Sequence, residues 1–375
     1  MTDRRHVLAR RAAVQGLHRH ERRGEAEVPD LRVLDLGVQD TPPGSAAQAL
    51  AIRLGRAPPG AADDDRLAVT WTFRGAPHVH RADDLLPLSR ALWPVSEDDA
   101  LTRLDTSASP LRGMGMTPRQ ALRFVAQQVR EVVTEPMAKG EVSAALTPRV
   151  PAELTMDCQR CEATHIIETL FRSAMLPAGL SFVPGRKGVV FAPIPGWPGP
   201  PEEAEAPAHL LRAYLHLHGP ATLAEAASFL GARGRDLQGH VPADAVDVEV
   251  TSADGAARPA LALREDLEAL REPPDPPPLR LLPPSDPFLQ ARDRHLLVPE
   301  DGLRASLWPS VGRPGAVLAE GELVGIWRAR RAGKRLEVDI ESADRLPDVV
   351  RPHLDAEVEL IAEARGAHGA TVAVR

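Results

Sequence analysis

Two cysteines and a histidine stand close together in Cys158-Gln159-Arg160-Cys161 and His165. Thiolate and imidazole are side chains that hold transition metals. The segment from Asp157 to Leu176 reads as a helix, on which positions 158, 161 and 165 fall at i, i+3 and i+7, along one face. Zinc takes four ligands, and with 2 cysteines in the chain no second pair completes the set. Asp157 or a distant histidine would have to serve. The expectation is therefore buried structural cysteines at a helix start, with no metal and no cofactor. A glycine-rich nucleotide loop and a Ser-His-Asp arrangement are also missing from the sequence, which removes many enzyme classes.

The cations are the other groups that carry chemistry. Net charge is −7, yet binding to an anion depends on where charge lies, not on its sum. The basic residues are almost all arginine, the lysines being Lys139, Lys187 and Lys334. A GC-rich genome accounts for the bias, but guanidinium forks suit phosphates and base edges better than ammonium groups do. Arg74, His78 and His80 lie on one expected hairpin, where an arginine would press on phosphate while a histidine approaches a strained or flipped base. The turn Pro184-Gly185-Arg186-Lys187-Gly188 projects two more cations, and Arg233 and Arg235 precede a short helical segment. Arg328, Arg330 and Arg331, with Lys334 and Arg335, form the densest basic cluster, over a further hairpin. Each of these turns also reads as a charged loop that serves solubility alone.

The elements that must position these residues recur in a fixed order. Asp3 to about Arg22 is an amphipathic helix, Leu31–Leu36 a short segment, and Ser45 caps a helix over Ala46–Leu54. After the loop Pro58–Asp65, the hairpin Leu67–Phe73/His78–Arg81 turns at Arg74-Gly75-Ala76-Pro77, and a helix follows over Ala82–Leu92. Thr117 with Pro118 opens a helix to about Val133, followed by helices over Lys139–Leu146 and Asp157–Leu176 and a hairpin over Leu180–Val183 and Val189–Ala192. The third round has helices over Ala208–His218 and from Thr222 to Leu230, a segment from Arg233 toward Gln238, and strands over Ala245–Thr251 and Ala260–Leu263. Three helices and a hairpin wing make a winged helix, a helix-turn-helix variant whose third helix enters the major groove. The proline-rich Arg271–Pro284 reads as a stiff connector. Short strands over Val317–Ala319, Leu323–Arg328 and Leu336–Ile340, a helix over Arg345–Leu354, and closing segments over Glu357–Glu363 and Ala370–Val374 complete the chain. The expected class is α+β: tandem winged-helix units over 1–110, 111–195 and 205–272, and a β-rich C-terminal module over 279–375.

That order of motifs resembles the bacterial winged-helix DNA-binding proteins that include the AlkZ- and YcaQ-type DNA glycosylases. The resemblance rests on Gly37-Val38-Gln39, on Trp71-Thr72-Phe73-Arg74-Gly75-Ala76-Pro77-His78-Val79-His80, and on Leu281-Leu282-Pro283-Pro284-Ser285-Asp286-Pro287-Phe288-Leu289. Asp293-Arg294 and the closing Gly325-Ile326-Trp327-Arg328 add to it. It implies three stacked winged helices gripping duplex DNA and metal-free excision of alkylated or crosslinked bases. It also implies a Gln-x-Gln or Gln-x-Asp motif, after a Gly-aliphatic pair, that holds water or stabilises the developing sugar cation. Aligned on Gly37-Val38 and Pro43, the chain offers Gln39, Asp40 and Thr41 as the catalytic segment, with threonine at the second motif position. Threonine is a weaker and shorter acceptor than glutamine, and Asp40 replaces it only after a one-residue shift. Asp293, beside Arg292 and Arg294, reads as a structural ion pair and not as a base.

Met1–Arg23 is rich in Arg and His with no apolar core, and no apolar run approaches the roughly 18 residues of a membrane span, so a cytoplasmic, nucleoid-associated monomer is expected. Three readings remain open: a glycosylase acting on duplex DNA, a non-catalytic or regulatory DNA binder, and a winged-helix scaffold for protein partners.

Overall fold

The computed structural model describes residues 2–18, 26–58, 64–104, 115–159, 161–342, 346 and 351–375. The expected helix end at Arg22, the helix start at Arg345, part of the Pro58–Asp65 loop, Arg160 and the boundary at 110/111 lie outside the described residues.

Helices and small sheets alternate, an α+β organisation. In chain order the first part holds β1 (Thr2–Asp3), α1 (Arg4–Val14), β2 (Val38–Gln39), α2 (Ser45–Leu54), β3 (Leu67–Trp71), β4 (Pro77–Arg81), α3 (Leu85–Leu92) and α4 (Glu97–Leu104). The middle holds α5 (Pro118–Val132), β5 (Met137–Ala138), α6 (Lys139–Leu146), β6 (Thr155–Cys158), β7 (Ala163–Ile166), α7 (Glu168–Met175), β8 (Leu180–Phe182) and β9 (Val190–Pro193). There follow α8 (Ala208–His218), α9 (Leu223–Leu230), α10 (Gly234–Leu237), β10 (Ala245–Thr251), β11 (Ala257–Leu263) and α11 (Leu267–Arg271). The chain closes with β12 (Leu279–Leu282), α12 (Arg294–Leu297), α13 (Asp301–Leu307), β13 (Gly315–Ala319), β14 (Glu322–Ala332), β15 (Arg335–Ser342), α14 (Arg351–Ala364) and β16 (Ala370–Val374). Among the described residues no helix is long and apolar enough to cross a membrane.

The chain divides into two compact units. The first comprises Met1–Gly60, Arg212–Ala226 and Pro242–Arg375. Its main sheet has the order β12-β13-β14-β15-β16, antiparallel except for the last pair. Helix α14 packs on α2 and β12, because Leu354, Val358 and Ile361 recur at helical spacing and are buried. Several buried ion pairs lie inside this unit, among them Arg10–Asp266 and Arg280–Glu357. Arg53 meets Asp286 through bonds of 2.8 and 3.0 Å with neither side chain exposed, and Arg11 meets Asp293 at 2.7 and 3.0 Å. Asp293 is thus a structural ion-pair partner, but of Arg11 and Arg258 and not of its sequence neighbours.

The second unit comprises Ala61–Leu211 and Ala227–Val241. Its core gathers Trp71, Trp93, Phe171 and Phe191 with the buried stripe Ala121, Leu122, Val125, Ala126 and Val129 of α5. Thr117 accepts from the Gln120 N–H and Pro118 takes the first position, so α5 begins where expected.

Several expectations fail. The first helix ends at Val14, with Gln15 as its C-cap, well short of Arg22. The run Asp157–Leu176 is not one helix: β6 and β7 form a hairpin, and helix begins only at Glu168. The segment Glu357–Glu363 is not separate from the helix before it but belongs to α14. Arg271–Pro284 is not wholly a connector, since Leu279–Leu282 pairs with β13 and is buried throughout.

Candidate active site: the Gln39 loop and its arginine-lined cleft

The first unit carries Gln39, Asp40 and Thr41 on the turn between β2 and α2. Gly37 takes φ 72° and Gly44 φ 88°, left-handed values that admit glycine without strain and bend the chain twice within eight residues. Val38 between them is fully buried and pins the strand. Asp40 Oδ1 accepts from the Gly44 N–H at 2.7 Å and the Ala46 N–H at 3.1 Å, so the N-cap residue of α2 is Gly44 and not Ser45, and the Asp40 side chain reaches back to supply the acceptor for the helix start. Ser45 instead donates its hydroxyl to the Gln39 carbonyl at 3.2 Å. Burial pushes the Asp40 carboxyl above its ordinary value, against the backbone N–H bonds from Ala46, Gly44 and Ser45 that pull it down. Gln39 is half-buried, and Thr41 is exposed.

A cleft of about 660 Å³ opens beside the Pro42–Gly44 end of this turn, within the same unit; Gln39, Asp40 and Thr41 are not among the residues that line it. Pro42, Pro43, Gly44 and Gln48 form one side; Arg313, Arg328, Arg331 and Arg365 bring four guanidiniums, and no carboxylate lines it among the described residues. The Trp327 indole lies along it, its N–H donating to the Leu282 carbonyl at 2.8 Å. Gly315 permits that placement, since a Cβ there would stand 2.2 Å from the Trp327 ring. Arg365 lies 5.6 Å over the ring, and burial followed by the nearby Arg331 holds its pKa below the usual guanidinium value. Arg331 donates to the Arg365 and Gly366 carbonyls at 2.6 and 3.3 Å, satisfying the end of α14. Guanidiniums gathered with no lining carboxylate favour a bound anion.

Sequence reasoning missed Gln48, Arg313 and Arg365. Gln48 is buried on α2; its amide nitrogen donates to the Gly44 carbonyl at 3.0 Å, and its amide oxygen has no partner. Its position one turn into α2 is the one available signal. Arg365 was hidden because the segment before it did not read as helix. Of the basic cluster, Arg328 and Arg331 line the cleft, whereas Arg330 is paired with Glu337 and does not.

The remaining expected contacts lie in the second unit. His78 and His80 are 2% and 1% exposed, packed on Phe73 and hydrogen-bonded to Thr72 Oγ1 at 2.9 and 3.1 Å. Burial lowers the His78 pKa to about 3 and that of His80 well below its ordinary value, so both are neutral. The expected approach to a base is therefore not available to them as they stand. Arg74, at φ 54°, bonds to the Phe229 carbonyl and stacks on its ring. Arg186 and Lys187 are exposed on the turn between β8 and β9, shaped by Gly185 and Gly188 at φ 71° and 79°. Arg233 pairs with Asp236 at 3.2 Å, and Arg235 lies 3.7 Å from the same residue. Cys158, Cys161 and His165 meet on the β6–β7 hairpin; Cys158 is half-buried and Cys161 exposed, so they are not the expected buried cysteines of a helix start, because the segment pairs as strands.

No curated protein matches the chain. Among solved structures, the Streptomyces sahachiroi DNA glycosylase AlkZ is similar in fold, with a TM-score of 0.70 at 21% identity, over 99% of this chain and 99% of that one. The family model for the DNA glycosylase AlkZ-like proteins matches residues 33–364, a span that takes in the Gln39 loop and every residue of the cleft except Arg365. The chain belongs to the AlkZ-like DNA glycosylase family.

Proposed function

We propose that this protein binds duplex DNA and hydrolyses the N-glycosidic bond of an alkylated or crosslinked base, acting as a monomer with no cofactor taking part in the reaction. The observation that carries the reading is the juxtaposition of the Gln39–Gly44 turn with a cleft whose charged lining is arginine alone. Departure of a base builds positive charge on the deoxyribose, and a nearby amide or carboxylate oxygen stabilises it and orients water. Gln39 offers an amide oxygen and Asp40 a carboxylate, with the exposed Thr41 hydroxyl beside them. The arginines would hold the phosphates that flank the lesion. Arg186 and Lys187, Arg233 and Arg235 are candidates for further backbone contacts. Arg74 is a weaker one, because its guanidinium is already engaged. The order α5-α6-α7 with the β8–β9 hairpin, and α8-α9-α10 with the β10–β11 hairpin, supports winged-helix units over 111–195 and 205–272. The same reading takes 1–110 as a first unit and 279–375 as the β-rich module.

A second reading is a duplex binder without catalysis. It is favoured by the engagement of Asp40 with backbone N–H groups and by threonine at position 41. Base release from a duplex carrying N7- or N3-alkylated purines separates the two. The first reading expects release by the wild type that falls about 10²-fold or more in Gln39→Ala. Duplex binding with no release above background by the wild type leaves the second.

A further inference from the structure

The hairpin β6–β7 stands alone as a two-stranded sheet, and isolated hairpins are marginally stable in water. Its base is anchored: Leu154, Ile166 and Ile167 are buried in the second unit's core, and the Ile167 N–H donates to the Leu154 carbonyl at 2.9 Å. Its distal part has no such support, with Met156 43% exposed and Cys161, Glu162, Ala163 and Thr164 all exposed. At this end three metal-binding side chains converge. Cys158 pairs with Ala163 and His165 with Met156, so Cys158 and His165 are diagonal neighbours on one face of the hairpin. Cys161 lies in the connecting turn, where Glu162 takes a left-handed φ of 51°. One ligand atom from each of Cys158, Cys161 and His165 lies within 4.8 Å of the other two.

We propose that Cys158, Cys161 and His165 bind one zinc ion, which clamps the tip of this hairpin. Zinc bonds of about 2.3 Å to sulfur and about 2.0 Å to nitrogen set tetrahedral ligand atoms roughly 3.5–3.8 Å apart. The three side chains, with ligand atoms within 4.8 Å of one another, therefore need to close by roughly 1.3 Å at most, a movement on the scale of a side-chain rotation. His165 Nδ1 is 2.7 Å from the Ile166 carbonyl oxygen. Donation there fixes the tautomer that leaves Nε2 as the ligand, the outer-shell arrangement that zinc histidines use. Asp157 is excluded from the set: it sits on the other face and accepts the Thr164 hydroxyl at 2.5 Å. Two thiolates balance the charge of the ion, both thiol protons leaving to solvent on binding. The fourth position stays open to water or an incoming donor.

The full-length protein, purified under reducing conditions and stripped of metal, tests this directly. Its 2 cysteines are the only thiols, so every thiol readout reports on this site. One equivalent of Co²⁺ per chain should produce a thiolate-to-metal charge-transfer band, displaced by Zn²⁺. One equivalent of Zn²⁺ should slow alkylation of both thiols at least tenfold, and a chelator should reverse it. Cys158→Ser with Cys161→Ser should abolish uptake, and His165→Ala should weaken it more than tenfold. His216→Ala, which breaks up the cluster of His216, Glu265 and Asp266, should leave it unchanged. Absence of thiol protection in the wild type overturns the proposal whether or not the variants fold. Zinc uptake that survives loss of both cysteines overturns it equally, as does a Cys158–Cys161 disulfide that persists under reducing conditions.

Discussion

Asp40 sits at the start of α2 with one carboxylate oxygen on two backbone N–H groups, and that bonding constrains what it can do in catalysis. The cap needs only an acceptor, whereas electrostatic stabilisation of a sugar cation needs the charge, so Asp40→Asn separates the two roles. Asparagine is as good a cap, while alanine in such a position costs about 1 kcal/mol. Burial raises the Asp40 pKa, which means that the folded state favours the protonated acid. The stability this contributes is present below the ordinary carboxylate range and is lost as pH rises through the raised value. At neutral pH the charged side chain is therefore held at a cost. Asp40→Asn is expected to match or exceed the wild type in denaturant midpoint at neutral pH, and Asp40→Ala to fall below it. If the carboxylate acts in base release, the rate of the wild type climbs with pH through the raised Asp40 pKa. Asp40→Asn then loses that limb together with most of the rate. A variant that is both stable and fully active confines Asp40 to capping.

Elements were legible where one local rule governed them. Thr117-Pro118 with Gln120, and Thr222 with Glu225, are capping boxes that stand as the sequence suggests. Legibility failed where tertiary packing outvoted local signal. The stretch 157–165 is rich in Gln, Arg, Glu and Ala, good helix formers, yet burial of Leu154 and Ile166 at the hairpin base fixes it as two strands. The candidate site was half legible for the same reason: its turn is contiguous, but the cleft draws Arg313, the pair Arg328 and Arg331 of β14, and Arg365 from three places that only the fold unites. The pattern His78-Val79-His80 likewise read as an exposed hairpin, and all three residues are buried. That burial has a measurable consequence. Both histidines are neutral when folded, with His78 lowered to about 3, so below about pH 6.5 the unfolded chain takes up protons that the folded unit refuses. Each such histidine costs about 1.4 kcal/mol of stability per pH unit as acid is added. Urea unfolding between about pH 6.5 and 5 should show this slope reduced by about that amount in His78→Gln. An unchanged slope means that His78 does not stay neutral in the folded unit.

For the whole molecule, the net charge of −7 leaves any grip on DNA to local concentrations of cations. The cleft of the first unit is one such concentration: it gathers four arginines with no carboxylate among the described residues that line it, although Arg328 also lies 3.7 Å from Glu341 outside the lining. Phosphate contacts release counterions, so the logarithm of duplex affinity should fall linearly with the logarithm of salt concentration, at about 0.9 per phosphate neutralised. Four cleft arginines, each on one phosphate, give a slope of roughly −3.6, steeper if Arg186 and Lys187 add contacts. Replacing Arg313 or Arg331 by alanine should weaken binding to every duplex sequence alike and flatten the slope by about 1. Arg330 supplies the control on the same strand, since it is paired with Glu337 and lies outside the cleft lining, and Arg330→Ala should leave the slope as it is. Fluorescence anisotropy of a labelled duplex over a range of salt concentrations reads all three. A wild-type slope near zero would return the protein to the scaffold reading, with the arginine cleft built for something other than a nucleic acid backbone. Equal flattening by Arg330→Ala and Arg331→Ala would mean that the DNA path runs over the outside of the β14–β15 hairpin and not through the cleft beside Gln39.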